Sequence, residues 1–283
     1  MSRIQSKAIE GSIRRAGIIL GPNAQVFLVD PSDSGFTLQN AIDKCIAGNG
    51  DIIVLQAGGH EVTSTVNFNK TGIHVIPIAY GINPFAQGEI FAILAASSFT
   101  DGPVATITKR CFIEGIGFAS RDTGALFFAG AACLIGGDGT ALPFGVHLKS
   151  CRFPKWGLDN RMGLAIEGSS DCMIEDCGFE GVTSDFDSGI YLQGAIQNIV
   201  IRGCHFRDCT YAVTLGAFAG GGPHFMIGKN VVEDGKMLDS GGNTATGLVY
   251  GNYLETATGA SYDASVGTLQ SQGIQFSGNH YSE

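Results

Sequence analysis

The stretch Cys172-Met-Ile-Glu-Asp-Cys-Gly-Phe179 returns 27 residues later as Ile199-Val-Ile-Arg-Gly-Cys-His-Phe206. In both copies apolar residues alternate with more polar ones up to the shared Cys, and a Phe follows two positions later. Alternation with period two is typical of a β-strand that is buried on one face. The recurrence indicates that the chain is built from repeats that each supply an equivalent strand.

Taking the shared Cys as position zero extends the repeat to seven copies, at spacings of 35, 26, 27, 26, 22 and 27 residues. Position zero is occupied by Ile116, Cys151, Cys177, Cys204, Asn230, Asn252 and Asn279. Two residues later stand Phe118, Phe153, Phe179, Phe206, Val232, Leu254 and Tyr281. Four glycines and an Asp directly before position zero predict a tight bend with positive φ. Each copy is therefore predicted to be a strand, a two-residue bend, a second strand and a variable loop.

Such a unit buries its apolar face only by stacking on its neighbours, as in a solenoid with parallel coils. At these residues the sequence resembles the right-handed parallel β-helix of pectate lyases and phage tailspikes, over roughly residues 25 to 283. The resemblance implies a polar ladder through the bend, formed by the position-zero residues from Cys151 to Asn279. This scaffold hosts lyases, hydrolases, adhesins and inert structural proteins alike, so it does not decide the function.

The beginning of the chain fits the same family. Val26 to Val29 reads as a strand, Thr37 to Ala47 as a short amphipathic helix, and Gly50 to Gly58 as the first full coil. A helix before the first coil resembles the family's N-terminal cap, which shields an exposed sheet edge. We therefore expect an all-β fold: a right-handed parallel β-helix solenoid over residues 25–283 with a short N-terminal capping helix.

The composition of the chain restricts the kinds of partner that the protein is expected to bind. With 17 Lys and Arg against 26 Asp and Glu, the net charge is −9, which opposes phosphate binding, so nucleic acid is not an expected partner. The first ten residues lack the apolar stretch of a secretory signal, and no apolar run is long and unbroken enough to span a bilayer, so no membrane association is expected. Residues 1–24 carry four basic residues against Glu10, which predicts an attachment segment for another protein surface.

The eight cysteines show no Cys-x-x-Cys spacing and no nearby pair of His with zinc-site spacing. Buried free thiols are the favoured interpretation, with disulfides and a metal site as alternatives. No cofactor and no metal are expected.

Four charged residues precede position zero by two places: Glu114, Lys149, Glu175 and Arg202. In a solenoid they would stack about 4.8 Å apart with alternating sign. They form either a charged binding groove or a surface ladder of ion pairs, and the ladder is favoured because stacking alone requires alternation.

Two further sets deserve weighing as sites. Asp185 and Asp187 are the best acidic pair for glycan hydrolysis, but a solvated turn is the favoured interpretation of these residues. Asp159 and Arg161 follow the single Trp, Trp156, and would form a sugar-stacking site or an ordinary surface. The motifs that the resemblance to polygalacturonases would imply are absent, as is a stacked Asp cluster of the kind that pectate lyases use for calcium.

The sequence does not support nucleophilic catalysis or phosphate binding. The six His lie in no nucleophile motif, and Gly136 to Thr140 lacks the lysine and the strand-to-helix context of a phosphate-binding loop. No residue is therefore predicted to be catalytic, cofactor-binding or metal-binding.

Two features suggest assembly. The apolar segment Thr123 to Phe144 folds against its own solenoid or is buried by a partner, and a partner is favoured. The chain stops two residues after Tyr281, so its last coil is expected to be covered by subunit contacts, a fold-back segment or a partner.

The leading expectation, drawn from the resemblance, is a phage virion structural protein such as a capsid decoration protein, a head fibre or a short tailspike. It would be assembled in the host cytoplasm as a homotrimer that contacts other virion proteins and cell-surface polysaccharide without catalysis. The alternatives are a polysaccharide lyase or glycoside hydrolase acting on a host glycan, and a β-helix adhesin.

Overall fold

The computed structural model describes residues 9–14, 16–78, 92–96, 102–119, 131–136, 143–154, 162–181, 186–216, 224–239, 245–255, 270 and 273–282. Two short helices lie near the amino terminus, α1 at residues 9–14 and α2 at Leu38–Lys44. Apart from residue 270, which is helical, all other regular structure in these ranges is β-strand, arranged in three parallel sheets.

Sheet A contains ten strands: β1 Val26–Val29, β2 Ile52–Leu55, β5 Ile73–Pro77, β8 Cys111–Glu114, β11 His147–Lys149, β14 Met173–Glu175, β17 Ile199–Arg202, β20 His224–Gly228, β23 Thr246–Tyr250 and β25 Ile274–Ser277. Sheet B contains nine: β3 Gly58–Val62, β6 Ala92–Ala96, β9 Ile116–Ala119, β12 Arg152–Pro154, β15 Gly178–Glu180, β18 His205–Arg207, β21 Val231–Glu233, β24 Tyr253–Glu255 and β26 His280–Ser282. Sheet C contains seven: β4 Val66–Phe68, β7 Ala105–Ile107, β10 Ala131–Gly136, β13 Met162–Glu167, β16 Phe186–Gln193, β19 Cys209–Leu215 and β22 Lys236–Asp239.

A typical coil adds one strand to sheet A, one to sheet B and one to sheet C, and neighbouring coils pair in parallel and in register. Phe153 lies opposite Phe179 in sheet B, for example, and Leu148 opposite Ile174 in sheet A. The predicted right-handed parallel β-helix is confirmed. The expectation of two strands and a variable loop per repeat was wrong, because sheet C lies within the segment that was taken as loop.

The tight bend between sheets A and B is confirmed in all seven copies. The residue before position zero has φ between 52° and 68° in each, including three that are not glycine: Ser150, Asp176 and Lys229. Left-handed backbone is costly for residues with a Cβ, so its recurrence at non-glycine positions shows that stacking of the coils enforces the bend.

The core is one continuous apolar column inside the three sheets. Phe118, Phe153, Phe179 and Phe206 are fully or almost fully buried and stack with ring centroids 5.4, 4.6 and 4.8 Å apart. Their predicted stacking is confirmed, and the close spacing follows from the strand separation of the parallel coils.

The position-zero column changes from sulfur to amide along the solenoid. The Sγ of Cys177 lies 3.7 Å from the carbonyl oxygen of Leu148 in the preceding coil, and Asn252 Nδ2 donates to the equivalent carbonyl of Ile227 at 3.3 Å. Asn252 Oδ1 also accepts from the main-chain N–H of Asn230 at 2.9 Å, which a thiol cannot reproduce. Cys and Asn therefore occupy one register, and the asparagines add a hydrogen bond between coils.

The two helices cover different parts of the first coils. α2 begins at the N-cap Thr37, whose side chain forms a capping box with Asn40, and buries Leu38, Ala41 and Ile42 in the main core. The predicted capping helix is confirmed, although it ends at Lys44 rather than Ala47. α1 places Ile9 and Ile13 on the outer face of sheet A, against residues of β2 and β5. Part of residues 1–24 thus packs on the solenoid, while their role in attachment stays a prediction.

Candidate functional site

Charged side chains flank the tight bend on the outer surfaces of sheets A and B in the central coils. On sheet A, the register places Glu114 beside Lys149, Lys149 beside Glu175, and Glu175 beside Arg202. The predicted stacking of these four residues is confirmed. We call this set, together with the charged side chains of sheet B described below, the bend-flanking band.

On the sheet A side, the charges pair across coils. Lys149 Nζ lies 3.7 Å from Glu114 Oε1, and Arg202 donates through Nε and Nη2 to Glu175 Oε1 at 2.9 and 2.6 Å. The second oxygen of Glu175 lies 3.2 Å from His147 Nε2. Glu175 is therefore held between an imidazole and a guanidinium, and the ion-pair ladder is the arrangement present.

These contacts set the acidity of two adjacent carboxyl groups. Partial burial tends to raise the pKa of Glu175, but the hydrogen bond and the charge of Arg202, aided by His147, outweigh it and hold the pKa below its ordinary value. Asp176 lies on the bend itself, and burial together with the negative charge of Glu175 raises its pKa. Burial lowers the pKa of His147 despite the neighbouring carboxylate.

On the sheet B side, a second set of ion pairs surrounds Gly178. Arg152 Nη2 donates to Glu180 Oε2 at 3.0 Å, and His205 Nε2 lies 2.9 Å from Glu233 Oε1. Arg207 lies 3.8 Å from a carboxylate oxygen of each of these glutamates. Because Gly178 has no side chain between Arg152 and His205 in the register, a shallow notch remains there.

The sequence did not reveal the sheet B set, although a signal was available. Positions one and three after zero also carry charged residues in consecutive copies, at Arg152, Glu180, His205, Arg207 and Glu233. Gly178 interrupts the run of charged residues at position one after zero. A comparison of that position alone therefore does not show that charged residues stack there.

The residues weighed as sites from the sequence mostly fall outside the described ranges. Trp156, Asp159, Arg161 and Asp185 do so entirely. Asp187 lies in β16, so the turn expected at this residue was wrong, and its side chain is not described. Both candidate pairs therefore stay predictions that lie outside the described part of the chain.

The apolar segment Thr123 to Phe144 is partly accounted for. Residues 131–136 form β10 of sheet C, where Ala132, Cys133 and Ile135 are fully buried in the core. For these residues the favoured burial by a partner was wrong, because the solenoid itself covers them. Phe144 remains 58% exposed, and residues 123–130 and 137–142 lie outside the description. The same holds for most of the glycine-rich stretch, whose Gly136 ends β10.

All eight cysteines are free and buried, as the sequence predicted. Burial, with a smaller contribution from Asp51, raises the pKa of Cys45 to about 12, and burial raises the pKa of Cys133 and Cys177 well above the ordinary value. Thiols of this kind are poor nucleophiles because the thiolate is the reactive form. In the part of the chain that the structure covers, no three His, Cys, Asp or Glu side chains are grouped to hold a metal, and no helix is long and apolar enough to cross a membrane.

Comparison with known proteins agrees with the architecture. A family model described as the right-handed β-helix region matches residues 134–283. The solved pectate lyase Pel9A aligns over 97% of this chain and 80% of its own, with a TM-score of 0.58 and 12% identity. No curated protein matches in sequence.

Two other solved structures align with lower scores. ORF18 of Geobacillus virus E2 aligns over 90% of this chain and 60% of its own, with a TM-score of 0.47 and 13% identity. An alginate lyase from Paenibacillus sp. str. FPU-7 aligns over 92% of this chain and 98% of its own, with a TM-score of 0.46 and 14% identity. At these identities the likeness concerns the fold alone.

Proposed function

Because the chain belongs to the right-handed β-helix family, whose scaffold leaves the function open, we propose that it is a structural protein of a phage virion. It is a capsid decoration protein, a head fibre or a short tailspike, assembled in the host cytoplasm. It acts through contacts with other virion proteins and with glycans, and it does not catalyse a reaction. The virion assignment rests on the resemblance of the seven-copy repeat to phage tailspikes.

The observation that supports a non-catalytic role is the pairing within the bend-flanking band. Glu114, Glu175, Glu180 and Glu233 each lie within 4 Å of a basic or imidazole nitrogen from a neighbouring strand. Glycan hydrolysis requires one carboxyl group that stays protonated and a second that remains available to a water or a sugar carbon. Carboxylates held in cross-coil ion pairs serve neither role well, but they do fix the register of the coils.

The outer face of sheet A supports a protein–protein interface, which we propose as the contact between the chains of a homotrimer. One outward column of this face runs through Phe112, His147, Met173, Val200, Met226, Leu248 and Gln275. Most of these residues are apolar, and Met226 is 40% exposed. An apolar column on an outer sheet face is typical of a protein–protein interface, and α1 already covers the beginning of this face within the chain.

Native mass spectrometry tests the assembly. We expect a trimer of 29.5-kDa chains, about 88 kDa, that dissociates when Met226→Glu places a charge on the apolar column. Tyr253→Glu is the matched control, because Tyr253 is similarly exposed, at 41%, but lies in β24 of sheet B, outside the apolar column. A monomer at all concentrations, or equal dissociation by both variants, would contradict the proposed interface.

One observation favours the enzyme as a second candidate. Glu175 and Asp176 are adjacent carboxyl groups whose pKa values move in opposite directions, which is how acid and base roles are divided in glycosidases. Under this alternative, Asp176→Asn abolishes polysaccharide cleavage. Asp171→Asn, at an exposed bend residue with the same positive φ, leaves it intact.

A further inference from the structure

A cleft opens at the N-terminal end of the solenoid. One wall is the loop that leads into α2, residues 30–37, and the other is the end of β3 with the turn after it, residues 61–66. The cleft has a volume of about 410 Å³. Its apolar floor presents the half-buried side chains of Pro31 and Val62, with the buried Val29, Leu38 and Val66 behind them. Its size and its apolar floor are typical of a small-molecule binding site.

Hydrogen bonds within the protein preorganise both walls of the cleft. Asp30 Oδ1 accepts hydrogen bonds from the main-chain N–H and the hydroxyl of Ser32 at 2.8 and 2.6 Å. On the opposite wall, Thr65 Oγ1 donates to the carbonyl of Pro103 at 2.8 Å. Gln39 ties α2 to β4, because its Oε1 accepts from the main-chain N–H of Asn67 at 2.8 Å. A preformed cleft loses little conformational entropy on binding.

The rim presents polar groups that the protein does not use. Ser34, Glu61, Thr63 and Ser64 are exposed, line the cleft, and make no side-chain hydrogen bond within the described ranges. Hydroxyls both donate and accept, and a carboxylate accepts from hydroxyl groups through short, charge-assisted hydrogen bonds. Such a rim above an apolar floor matches a sugar, which has hydroxyl groups at its edge and C–H groups on its face.

The charge of the cleft restricts the kind of sugar. Asp30, Asp33 and Glu61 line it, whereas Lys and Arg are missing from its lining residues, all of which lie in the described part of the chain. His60 on the wall is buried, and burial lowers its pKa below the ordinary value, so it adds no positive charge at neutral pH. A uronate would meet three carboxylates with no cation to offset them, which is unfavourable at these separations.

We propose that this cleft binds a neutral oligosaccharide and discriminates against acidic glycans. The inference rests on the proposed function, for which it supplies the glycan contact. It places that contact at the N-terminal end of the solenoid and not on the bend-flanking band.

An array of neutral and uronate-containing oligosaccharides, probed with the full-length protein, tests the proposal. We expect binding to neutral members only. Glu61→Gln combined with Thr63→Val should weaken that binding at least tenfold without a change in the circular dichroism spectrum. Glu255→Gln combined with Thr246→Val is the matched control, because it makes the same two changes at exposed positions near the other end of the solenoid.

Absence of binding to every neutral member, preference for uronates, or equal weakening by the control pair would overturn the proposal. Arg152→Gln on the bend-flanking band should leave binding unchanged, and loss of binding in that variant would also overturn it. The same samples are assayed for new reducing ends. Cleavage of a bound neutral glycan would refute the non-catalytic function while leaving the cleft assignment intact, so the two failures are distinguishable.

Discussion

Asn252→Ala removes the centre of the asparagine ladder. Asn252 is fully buried, and its Oδ1 accepts from the main-chain N–H of Asn230 at 2.9 Å and from Asn230 Nδ2 at 3.0 Å. Asn230 Nδ2 retains the carbonyl of Ile201 at 3.3 Å, but the buried main-chain N–H loses this acceptor. One orphaned buried donor costs about 1–3 kcal/mol, and we expect the free energy of unfolding to fall by that amount.

Equilibrium unfolding in urea measures this change, with the slope of the transition checked for each variant. Asn69→Ala is the matched control, because Asn69 is exposed and its side chain makes no hydrogen bond in the described structure. It should change the free energy of unfolding by less than about 0.5 kcal/mol. Asn279→Ala, on a less buried residue that accepts only from Asn252, gives an intermediate loss and remains measurable if the first variant does not fold. Equal stability of Asn252→Ala and Asn69→Ala would refute the role of the ladder.

Four further outcomes are expected. Gly136→Ala should destabilise the protein more than Gly278→Ala in urea unfolding, because both glycines have positive φ but only at residue 136 would a Cβ overlap the main-chain carbonyl of Glu167 in the next coil; equal losses would count against this. Phe179→Ala should cost about 3–5 kcal/mol by the same assay, since it empties the middle of the ring stack, and a loss below 1 kcal/mol would argue against a packed column. All eight thiols should react with a disulfide reagent in denaturant and remain unreactive in the native protein at pH 8; recovery of fewer than six in denaturant would contradict free cysteines. The melting temperature should fall as the pH drops below about 6.5, because burial lowers the pKa of His60, His74 and His147 in the folded state and the unfolded chain therefore binds these protons first. It should fall further below about pH 4.5, where the unfolded chain protonates Glu175 first. The fall between about pH 6.5 and 5 should be smaller in His147→Gln than in the unchanged protein, and an identical profile would contradict the contribution of His147.

The sequence predicted those features that stacking repeats in every coil. Phe153 and Phe179 face each other because an inward position must be filled in each coil, and only a large apolar residue fills it. Positive φ at the bend was readable from Gly203 and Gly251, and it extends to Lys229 because neighbouring coils impose the same backbone path. Features of this kind are set by local side-chain pattern, which a single sequence contains.

The strands of sheet C could not be predicted from the sequence in the same way. β13, Met162–Glu167, has buried residues on both faces, including the outward Met162 and Ala165, so apolar and polar residues do not alternate along it. β10 has the same character, which is why the segment containing it was interpreted as an apolar loop for a partner. A strand covered on both sides cannot be distinguished by periodicity from any other apolar run.

One candidate site could be predicted from the sequence and the other could not. The sheet A part of the bend-flanking band was predictable because its four residues share one repeat position. The N-terminal cleft was not, because its walls, residues 30–37 and 61–66, lie in separate segments that only the coiling of the chain brings together. No local motif marks such a site.

Release of new reducing ends, together with absorbance at 235 nm from unsaturated uronates, tests the central claim most directly. The purified protein is incubated with a panel of neutral and acidic polysaccharides. A structural β-helix in which the carboxylates of the bend-flanking band are held in ion pairs predicts no release above the protein-free blank. Release that is lost in Asp185→Asn with Asp187→Asn, or in Asp176→Asn, would contradict the structural assignment and establish the chain as an enzyme.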